Sequence, residues 1–268
     1  MVSAIIVAAG KGTRMGPNID KLFHEIRGQP LIAHTWRAFE QSPEIDEIVL
    51  VVREGLEIEF QKIAESNNFK KPFRFTVGGK ERQNSVWNGL QIVSPTCEIV
   101  AIHDGARPFV SHKIICDTIA AAREVGAAVT AQKVTDTLKE AGDDQLILRN
   151  VDRSKLWSVQ TPQSFQLPVI KHALRQVIDR NLLVTDDTAA CELIGQAVKV
   201  VESMTPNPKL TSFADLPYFE FLFDNAGSPN HQRWHRSPGT ARCRWRLRQA
   251  ILCSAVREKS PLGMRRTV

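Results

Sequence analysis

The sequence predicts a doubly wound α/β fold with a mostly parallel, Rossmann-like sheet. Short runs of β-branched residues alternate with helical patterns over residues 1–223, as expected of βαβ units. Several of these runs are apolar almost throughout, which is typical of strands that helices cover on both faces. A glycine-rich loop directly follows the first run, at the position where such sheets commonly bind phosphates.

The elements of this fold follow one another in a regular order. The predicted strands are 3–9, 47–53, 73–78, 98–104, 127–134 and 197–203. The predicted helices are 30–41, 55–67, 83–93, 111–125, 168–180, 186–195 and 212–222. Ser111 and Ser212 stand at the start of two of these helices and are predicted to be their N-caps.

One segment interrupts the alternation of strands and helices. Residues 136–152, DTLKEAGDDQLILRNVD, have the pattern of two strands joined by a Gly-Asp turn. We therefore predict a protruding β-ribbon arm over 136–157. A two-stranded ribbon is marginally stable alone in water, so it should pack either on a second subunit or on its own domain, and the pattern leaves both open.

The tail, residues 224–268, differs in composition from the rest of the chain, which we assign to one domain over 1–223. It contains nine arginines and one lysine against two carboxylates, so it accounts for the formal net charge of +6. Its patterning predicts a disordered extension or a stretch whose reading frame has been lost. A nucleic-acid-binding arm is the functional alternative, since Arg and Trp suit phosphates and bases.

Composition and cysteine content are those of an ordinary globular protein. Apolar residues make up 43% and charged residues 24% of the chain, as is usual for that class. The first residues lack the basic region of a secretory signal, and no run approaches the ~18 apolar residues that cross a membrane. The five cysteines show no zinc-ligand spacing. We expect a cytoplasmic protein with reduced thiols and no membrane partner.

The opening stretch SAIIVAAGKGTRMG, residues 3–16, is predicted to bind phosphate through backbone N–H groups. Its glycines follow G-x-G-x-x-x-G, which differs from the dinucleotide fingerprint. The cations Lys11 and Arg14 lie inside the loop, and Lys21 follows it. Backbone groups usually suffice for a dinucleotide's pyrophosphate, whereas a triphosphate needs cationic side chains or a metal ion.

The end of the second predicted strand also argues against a dinucleotide. A dinucleotide-binding fold places an acidic residue there to bind the ribose hydroxyls, but this strand ends at Arg53. The G-K-[ST] of a Walker-type loop is absent from the opening stretch as well. The loop therefore favours a nucleoside triphosphate.

Further motifs follow in order along the chain. They are DKLFHEIRGQPLIAHT (20–35), GGKERQNSVWNGL (78–90), HDGARPFV (103–110), VTDTLKE (134–140), NVDRSKLWSVQTPQSF (150–165), VTDDTAACE (184–192) and NPKLTSFADL (207–216). Together with the opening loop, these segments resemble the 2-C-methyl-D-erythritol 4-phosphate cytidylyltransferase family of the sugar-nucleotidyltransferase superfamily. The resemblance covers residues 2–222 and implies a sheet of the nucleotide-diphospho-sugar transferase type.

The reaction that the resemblance implies is transfer of CMP from CTP to 2-C-methyl-D-erythritol 4-phosphate in non-mevalonate isoprenoid biosynthesis, with release of pyrophosphate. A phosphate monoester is mostly dianionic at neutral pH, so it needs no general base. Catalysis should therefore consist of positioning and of charge stabilisation at the α-phosphorus. Mg²⁺ is expected to bind with CTP, mostly through phosphate oxygens, with Asp104 as a candidate ligand.

Three groups of site residues are implied by matches to the family's motifs. The catalytic pair is Arg14 and Lys21. The nucleotide-binding positions are Ala8, Ala9, Gly10, Gly12, Gly78, Gly79, Lys80, Ser85 and Asp104. The positions that bind the polyol phosphate are Thr137, Arg153, Lys209 and Arg107.

The resemblance also implies a homodimer in which the β-arm crosses to the partner. Thr137 and Arg153 would then serve the neighbouring subunit's site. We interpret His103 as structural, because a single histidine beside a strand end is not a metal site. Asp186 and Asp187 either orient the helix near the site or are first-turn residues favoured by the helix dipole.

The sequence leaves three alternatives open. A ribitol-5-phosphate cytidylyltransferase would share the nucleotide motifs, and a dinucleotide-binding oxidoreductase is the remote alternative from another class. Nucleic-acid binding through the tail is the third. The segment REKSPLG (257–263) faintly resembles an early stretch of the cyclodiphosphate synthase fused to such enzymes in some bacteria. The tail is therefore also interpreted as a truncated or frame-shifted remnant of a fused second domain.

Overall fold

The computed structural model describes residues 1–10, 12 and 20–225. The predictions made for Lys11, for Arg14 as a catalytic residue and for the tail beyond residue 225 lie outside the described residues. Residues 1–212 form one compact unit. The predicted domain boundary at residue 223 stays a prediction.

The regular elements are numbered here in chain order. The strands are β1 (Val2–Val7), β2 (Glu25–Ile26), β3 (Gln29–Pro30), β4 (Glu47–Val52), β5 (Phe73–Val77), β6 (Ile99–Asp104), β7 (Ala127–Lys133), β8 (Leu138–Ala141), β9 (Ile147–Val151), β10 (Trp157–Gln166) and β11 (Lys199–Glu202). The helices are α1 (Leu31–Glu40), α2 (Glu57–Ser66), α3 (Arg82–Ile92), α4 (His112–Val125), α5 (Leu167–Asp179), α6 (Asp187–Leu193) and α7 (Leu216–Asn225).

A seven-stranded sheet in the order β11-β7-β10-β6-β1-β4-β5 forms the centre of the first unit. Its strand pairs are parallel except those of β10, which runs antiparallel to both β6 and β7. After β1 the chain builds outward through β4 and β5, and it then returns to place β6 on the other side of β1. Such a reversal leaves a crevice at the carboxyl ends of the strands, and it lies between β1 and β6.

Helices cover both faces of the sheet, as the apolar strands predicted. On one face, Ile5 and Val51 of the strands pack in one cluster with Leu90 of α3 and Leu174 of α5. On the other face, the Trp36 ring of α1 belongs to an aromatic cluster with Phe69, Phe73 and Phe75. Burial of both faces explains why β4 has no exposed residue.

The sequence-based predictions of strands and helices are largely confirmed, with one helix corrected. All six predicted strands are present, and Ser111 caps α4 by accepting a hydrogen bond from the Ile114 amide. The helix predicted over 212–222 is wrong at its start: a 3-10 turn at Phe213–Asp215 comes first, and α7 begins at Leu216. Pro217 explains that start, because proline is tolerated in a helix's first turn and not in its interior.

Strand β10 is the strand of the central sheet that sequence reasoning missed. Its residues, WSVQTPQSFQ, are mostly polar and include a proline, which usually excludes a central strand. The structure accommodates Pro162 at a register shift between Val159 and Gln163. Its polar residues Gln160, Thr161, Gln163 and Ser164 are buried because the strand's position in the sheet, rather than its composition, places them between β6 and β7.

The predicted ribbon is present as the antiparallel pair β8 and β9. Its turn runs from Gly142 to Leu146, whose carbonyl accepts from the Gly142 amide. Leu146, Ile147 and Leu148 are each about two-thirds exposed (65–66%) at the start of the second strand. Among the described residues, no helix is long and apolar enough to span a membrane.

Candidate active site

A cavity of about 550 Å³ opens at the crevice between β1 and β6. It brings together residues that the sequence predicted from five separate motifs. Those that line it are Ala9, Gly10, Gly12, Lys21, Gly79, Lys80, Ser85, Asp104 and Lys209. Thr137 and Arg153 at the base of the ribbon do not line it, and neither do Ala8, Gly78 and Arg107.

Glycine at position 78 lets the chain after β5 approach the end of β1. A Cβ atom at Gly78 would lie 2.2 Å from the Cβ of Ala9, closer than side chains can come. The next turn is held by Ser85, whose hydroxyl accepts from the Gly79 amide at 3.0 Å. Glu81 and Asn84 form the capping box that starts α3. The GGKERQNS segment therefore brings backbone groups and Lys80 to the cavity wall.

Lys21 is a buried cation in the opposite wall. Its side chain is 9% exposed, and its Nζ donates to the Leu210 carbonyl at 3.0 Å. Gly12, with φ of +61°, leaves room for the lysine stem, because a Cβ there would lie 3.3 Å from Lys21 Cγ. The preceding residue, Asp20, is paired with Arg53 and accepts from the Leu22 amide. These contacts fix the position of the lysine.

Asp104, at the end of β6, is surrounded by three cations. Lys209 Nζ lies 2.9 Å from its Oδ2, Arg107 Nε lies 3.4 Å from Oδ2, and Arg82 Nε lies 3.4 Å from Oδ1. Burial alone would raise the pKa of this carboxyl, but the charges of Arg82, Lys209 and Arg107 outweigh burial and hold the pKa well below its usual range. Asp104 therefore stays ionised and positions the cations around it.

The electrostatics of the cavity wall suit a polyanion. Lys21, Lys80, Arg82 and Lys209 line the cavity, against the carboxylates Glu81 and Asp104. Gly10, Gly12 and Gly79 line the cavity at the same edge of the sheet, where the lack of side chains lets a ligand approach the backbone. Phosphate groups placed here would meet cations from both sides.

Comparisons with known proteins agree with this arrangement. The family model described as 2-C-methyl-D-erythritol 4-phosphate cytidylyltransferase matches residues 2–225. The chain belongs to this cytidylyltransferase family. It therefore belongs to the nucleotidyltransferases, and the resemblance drawn from the motifs is confirmed.

Individual members of the cytidylyltransferase family match over most of their length. A relative of that name from Alkaliphilus oremlandii is 44% identical over 216 residues, which is 80% of this chain and 91% of the relative. A second from Caldanaerobacter subterraneus is 43% identical over 222 residues, 82% of this chain and 98% of the relative. The solved 4-diphosphocytidyl-2C-methyl-D-erythritol synthase from Anaerococcus prevotii has a TM-score of 0.75 and 32% identity, and covers 83% of this chain and 96% of its own.

One site residue of this cytidylyltransferase, Arg82, was missed by sequence reasoning. Arg82, the first residue of α3, lines the cavity and bridges Asp104 to Asp187, whose Oδ2 lies 2.8 Å from Arg82 Nη1. Asp187 is fully buried. Burial raises the pKa of its carboxyl and outweighs the positive charge of Arg82, which lowers that pKa. The neighbouring Asp186 caps α6 by accepting from the Ala189 amide. The one available signal was the position of Arg82 inside a phosphate-site motif.

The predicted polyol-phosphate residues occupy different places. Lys209 faces the cavity, whereas the Arg107 guanidinium lies beneath it, with its Nη1 donating to the Asn207 carbonyl at 2.8 Å. Arg153 donates to the Thr135 carbonyl at the base of the ribbon and is exposed. The binding roles of Arg107, Thr137 and Arg153 stay predictions.

His103 is fully buried, and both of its ring nitrogens have protein partners. Nδ1 lies 3.0 Å from the Thr161 hydroxyl, and Nε2 lies 3.0 Å from the Arg107 carbonyl. Burial lowers the pKa of this histidine to about 4. This geometry agrees with the interpretation of His103 as a structural residue. The part of the chain that the structure describes contains no cluster of His, Cys, Asp and Glu that could hold a metal ion.

We expect the burial of His103 to be measurable as pH-dependent stability. The unfolded histidine takes up a proton below about pH 6.5, whereas the folded one stays neutral until its pKa of about 4. Lowering the pH from 7 to 4.5 should therefore shrink the difference in unfolding free energy between wild type and His103→Gln by roughly 1–3 kcal/mol. Asp104, Arg107 and Lys209 face the ring in both proteins and cancel in this comparison. A difference that stays constant in urea titrations would contradict the assignment.

Proposed function

We propose that this cytidylyltransferase transfers CMP from CTP to 2-C-methyl-D-erythritol 4-phosphate and releases pyrophosphate, a step of non-mevalonate isoprenoid biosynthesis. The family match over residues 2–225 supports the reaction. The observation that carries the assignment of the site is the cavity, in which Lys21 and Lys209 lie on walls formed by different segments of the chain. That arrangement provides separate cations for two phosphorylated substrates.

The chemistry requires one displacement at phosphorus. A phosphate oxygen of methylerythritol phosphate attacks the α-phosphorus of CTP, and the bond from that phosphorus to the bridging oxygen breaks. The bridging oxygen leaves with its electron pair as part of pyrophosphate. Two anions must approach each other, so the barrier falls when cations stabilise the charge that builds on the α-phosphoryl oxygens.

Different residues have different roles in this reaction. Lys21, with Arg14 from the glycine loop, stabilises the α-phosphoryl group. Gly10, Gly12 and Gly79 let the nucleotide approach the backbone, and Lys80 supplies a cation. Lys209, oriented by Asp104, meets the phosphate of the second substrate.

A divalent cation is part of the proposal. The carboxylates that line the cavity are Asp104 and Glu81, and Asp104 is already paired with three cations. The described residues thus do not form a protein cage for a metal. They fit a Mg²⁺ that is held mainly by phosphate oxygens of CTP, which is how this ion usually binds with nucleotides. Bound there, the ion would neutralise charge on the triphosphate.

Pyrophosphate release from CTP tests the reaction. We expect release with methylerythritol phosphate at a kcat/KM about 100-fold or more above that with ribitol 5-phosphate, because a site that pairs a substrate's hydroxyls discriminates strongly. We expect no competition between CTP and NAD for the cavity. Faster turnover of ribitol 5-phosphate would assign the chain to the alternative cytidylyltransferase activity, and absence of release with either substrate would contradict the proposal.

We further propose a cytoplasmic homodimer formed through the β-arm. The exposed apolar side chains of Leu146, Ile147 and Leu148 support an interface on the ribbon, because clustered exposed apolar residues mark association surfaces. Such a dimer would bring Thr137 and Arg153 to the partner's cavity.

Changing the ribbon's apolar surface tests the dimer. Ile147→Asp should convert a dimer to a monomer in sedimentation and lower kcat/KM by about tenfold or more, since a charge in an apolar interface is costly. The matched control is Leu183→Asp, an exposed leucine outside the ribbon that should change neither property. A wild-type monomer with full activity would refute the proposed exchange.

A further inference from the structure

Four residues beneath the cavity form a closed ring of hydrogen bonds. His103 Nε2 bonds to the Arg107 carbonyl at 3.0 Å, and Arg107 Nη1 donates to the Asn207 carbonyl at 2.8 Å. Asn207 Nδ2 donates to the Thr161 carbonyl at 2.7 Å, and the Thr161 hydroxyl returns to His103 Nδ1 at 3.0 Å. The ring therefore joins β6, β10 and the segment before Lys209.

The proton positions in this ring follow from the fixed backbone groups. The Arg107 carbonyl can only accept, so His103 Nε2 must carry a proton. The Asp104 amide donates to the Thr161 hydroxyl oxygen at 3.1 Å, which leaves the hydroxyl proton for His103 Nδ1. This pattern favours the neutral Nε2–H tautomer of His103, and its pKa of about 4 agrees with that state.

The ring is connected to the cations of the cavity. Arg107 Nε contacts the carboxylate of Asp104, which in turn holds Lys209. The Leu210 amide donates to the Ala106 carbonyl at 2.9 Å, and the Leu210 carbonyl accepts from Lys21 Nζ. A change in the ring would therefore displace both walls of the cavity together.

The polar residues of this ring are buried, which is unusual for groups that support a loop. His103, Thr161 and Asn207 are 0%, 4% and 2% exposed. Burying a polar group costs free energy unless the group forms a hydrogen bond. Apolar side chains of similar shape would fill the same space without that cost. Hydrogen bonds are directional, so they fix distances and angles. A site that positions two anions needs such fixed geometry.

We propose that His103, Thr161 and Asn207 are positioning residues that set the spacing between Lys21 and the Asp104–Lys209 pair. This inference rests on the proposed function, since the spacing matters for placing two phosphorylated substrates. None of the three residues lines the cavity. They act through Arg107, Asp104 and the chain at Asn207–Leu210.

The first test compares isosteric changes at Thr161. Thr161→Val keeps the side chain's shape and removes the hydroxyl, whereas Thr161→Ser keeps the hydroxyl. We expect Thr161→Val to raise the KM for methylerythritol phosphate and to lower kcat, each by about tenfold, since small misplacements of binding groups have large kinetic effects. Thr161→Ser should restore both constants to within about threefold of wild type.

A buried threonine elsewhere provides the matched control. The Thr118 hydroxyl of α4 donates to the Ile114 carbonyl within its own helix, so Thr118→Val should leave the kinetic constants unchanged. If Thr161→Val folds and retains wild-type KM and kcat, the positioning role is overturned. Titration with inorganic pyrophosphate separates this outcome from a failure of the proposed function. Weaker binding to Thr161→Val than to Thr161→Ser supports the ring even without turnover, whereas equal binding overturns it.

The second test uses the wild-type protein, so it does not depend on the folding of a variant. Nitrogen NMR of the histidine rings should show one neutral Nε2–H tautomer that does not titrate between about pH 6 and pH 8. Its signal should be absent from His103→Gln. A protonated Nδ1, or titration near the ordinary histidine pKa, would overturn the ring.

Discussion

Replacement of Lys21 by methionine is expected to lower kcat by about 100-fold or more, with a smaller change in the KM for CTP. Methionine fills the space of the lysine stem beside Gly12 but brings no charge to the cavity. The lost interaction is strongest when charge develops on the α-phosphoryl oxygens, so the transition state loses more stabilisation than the bound substrate. Initial rates of pyrophosphate release at varied CTP would separate the two constants.

The comparison for Lys21 is a lysine outside the cavity. Lys62 of α2 is exposed, and Lys62→Met should leave kcat and KM unchanged. If Lys21→Met turns over CTP at the wild-type rate while remaining folded, Lys21 does not stabilise the transition state. A rise in KM with unchanged kcat would instead assign it to ground-state binding of the nucleotide.

Replacement of Asp104 by asparagine is expected to destabilise the fold by about 3 kcal/mol, as for other buried ion pairs that lose one partner. Arg82, Arg107 and Lys209 would then lie close together without the carboxylate that separates them. The lowered pKa of Asp104 means that its stabilisation is present above the unfolded carboxyl's pKa and is lost only as the pH falls toward the folded value. The difference from wild type should therefore persist across neutral pH in urea unfolding.

Added anions should identify the cause of this loss. Inorganic phosphate or pyrophosphate would supply the missing negative charge, so each should stabilise Asp104→Asn more than wild type. The exposed pair Lys113–Asp117 provides the control, because Asp117→Asn removes a carboxylate whose pairing contributes well under about 1 kcal/mol. Equal stabilisation of wild type and Asp104→Asn by phosphate would contradict the charge argument.

The strands of the sheet could be predicted where burial on both faces requires a continuous run of apolar residues, as in β1, β4 and β6. The same principle failed for β10, because the buried residues of this strand include polar ones that pair with polar partners in the interior. Thr161, for example, is buried against His103, and Gln163 donates to Asp186. Nothing in the local pattern around Pro162 indicates a central strand.

The site residues could be predicted where a motif carries them to the carboxyl edge of the sheet, as with Lys21, Asp104 and Lys209. The partners of these residues depend on tertiary pairing over long sequence separations. Arg82 reaches Asp187, and Asn207 reaches Thr161, through contacts that no local pattern encodes. The hydrogen-bond ring could therefore be recognised only once β10 had been placed beside β6.

The path of phosphate oxygen provides the most direct measurement of the proposed reaction. Methylerythritol phosphate with 18O in its non-bridging phosphate oxygens would be incubated with CTP, Mg²⁺ and the full chain, and the products analysed by mass spectrometry. Attack on the α-phosphorus predicts that all of the label appears in the diphosphocytidyl-methylerythritol product and that the released pyrophosphate contains none. Label in pyrophosphate, or no labelled cytidine product, would contradict the proposed placement of the two substrates between Lys21 and Lys209.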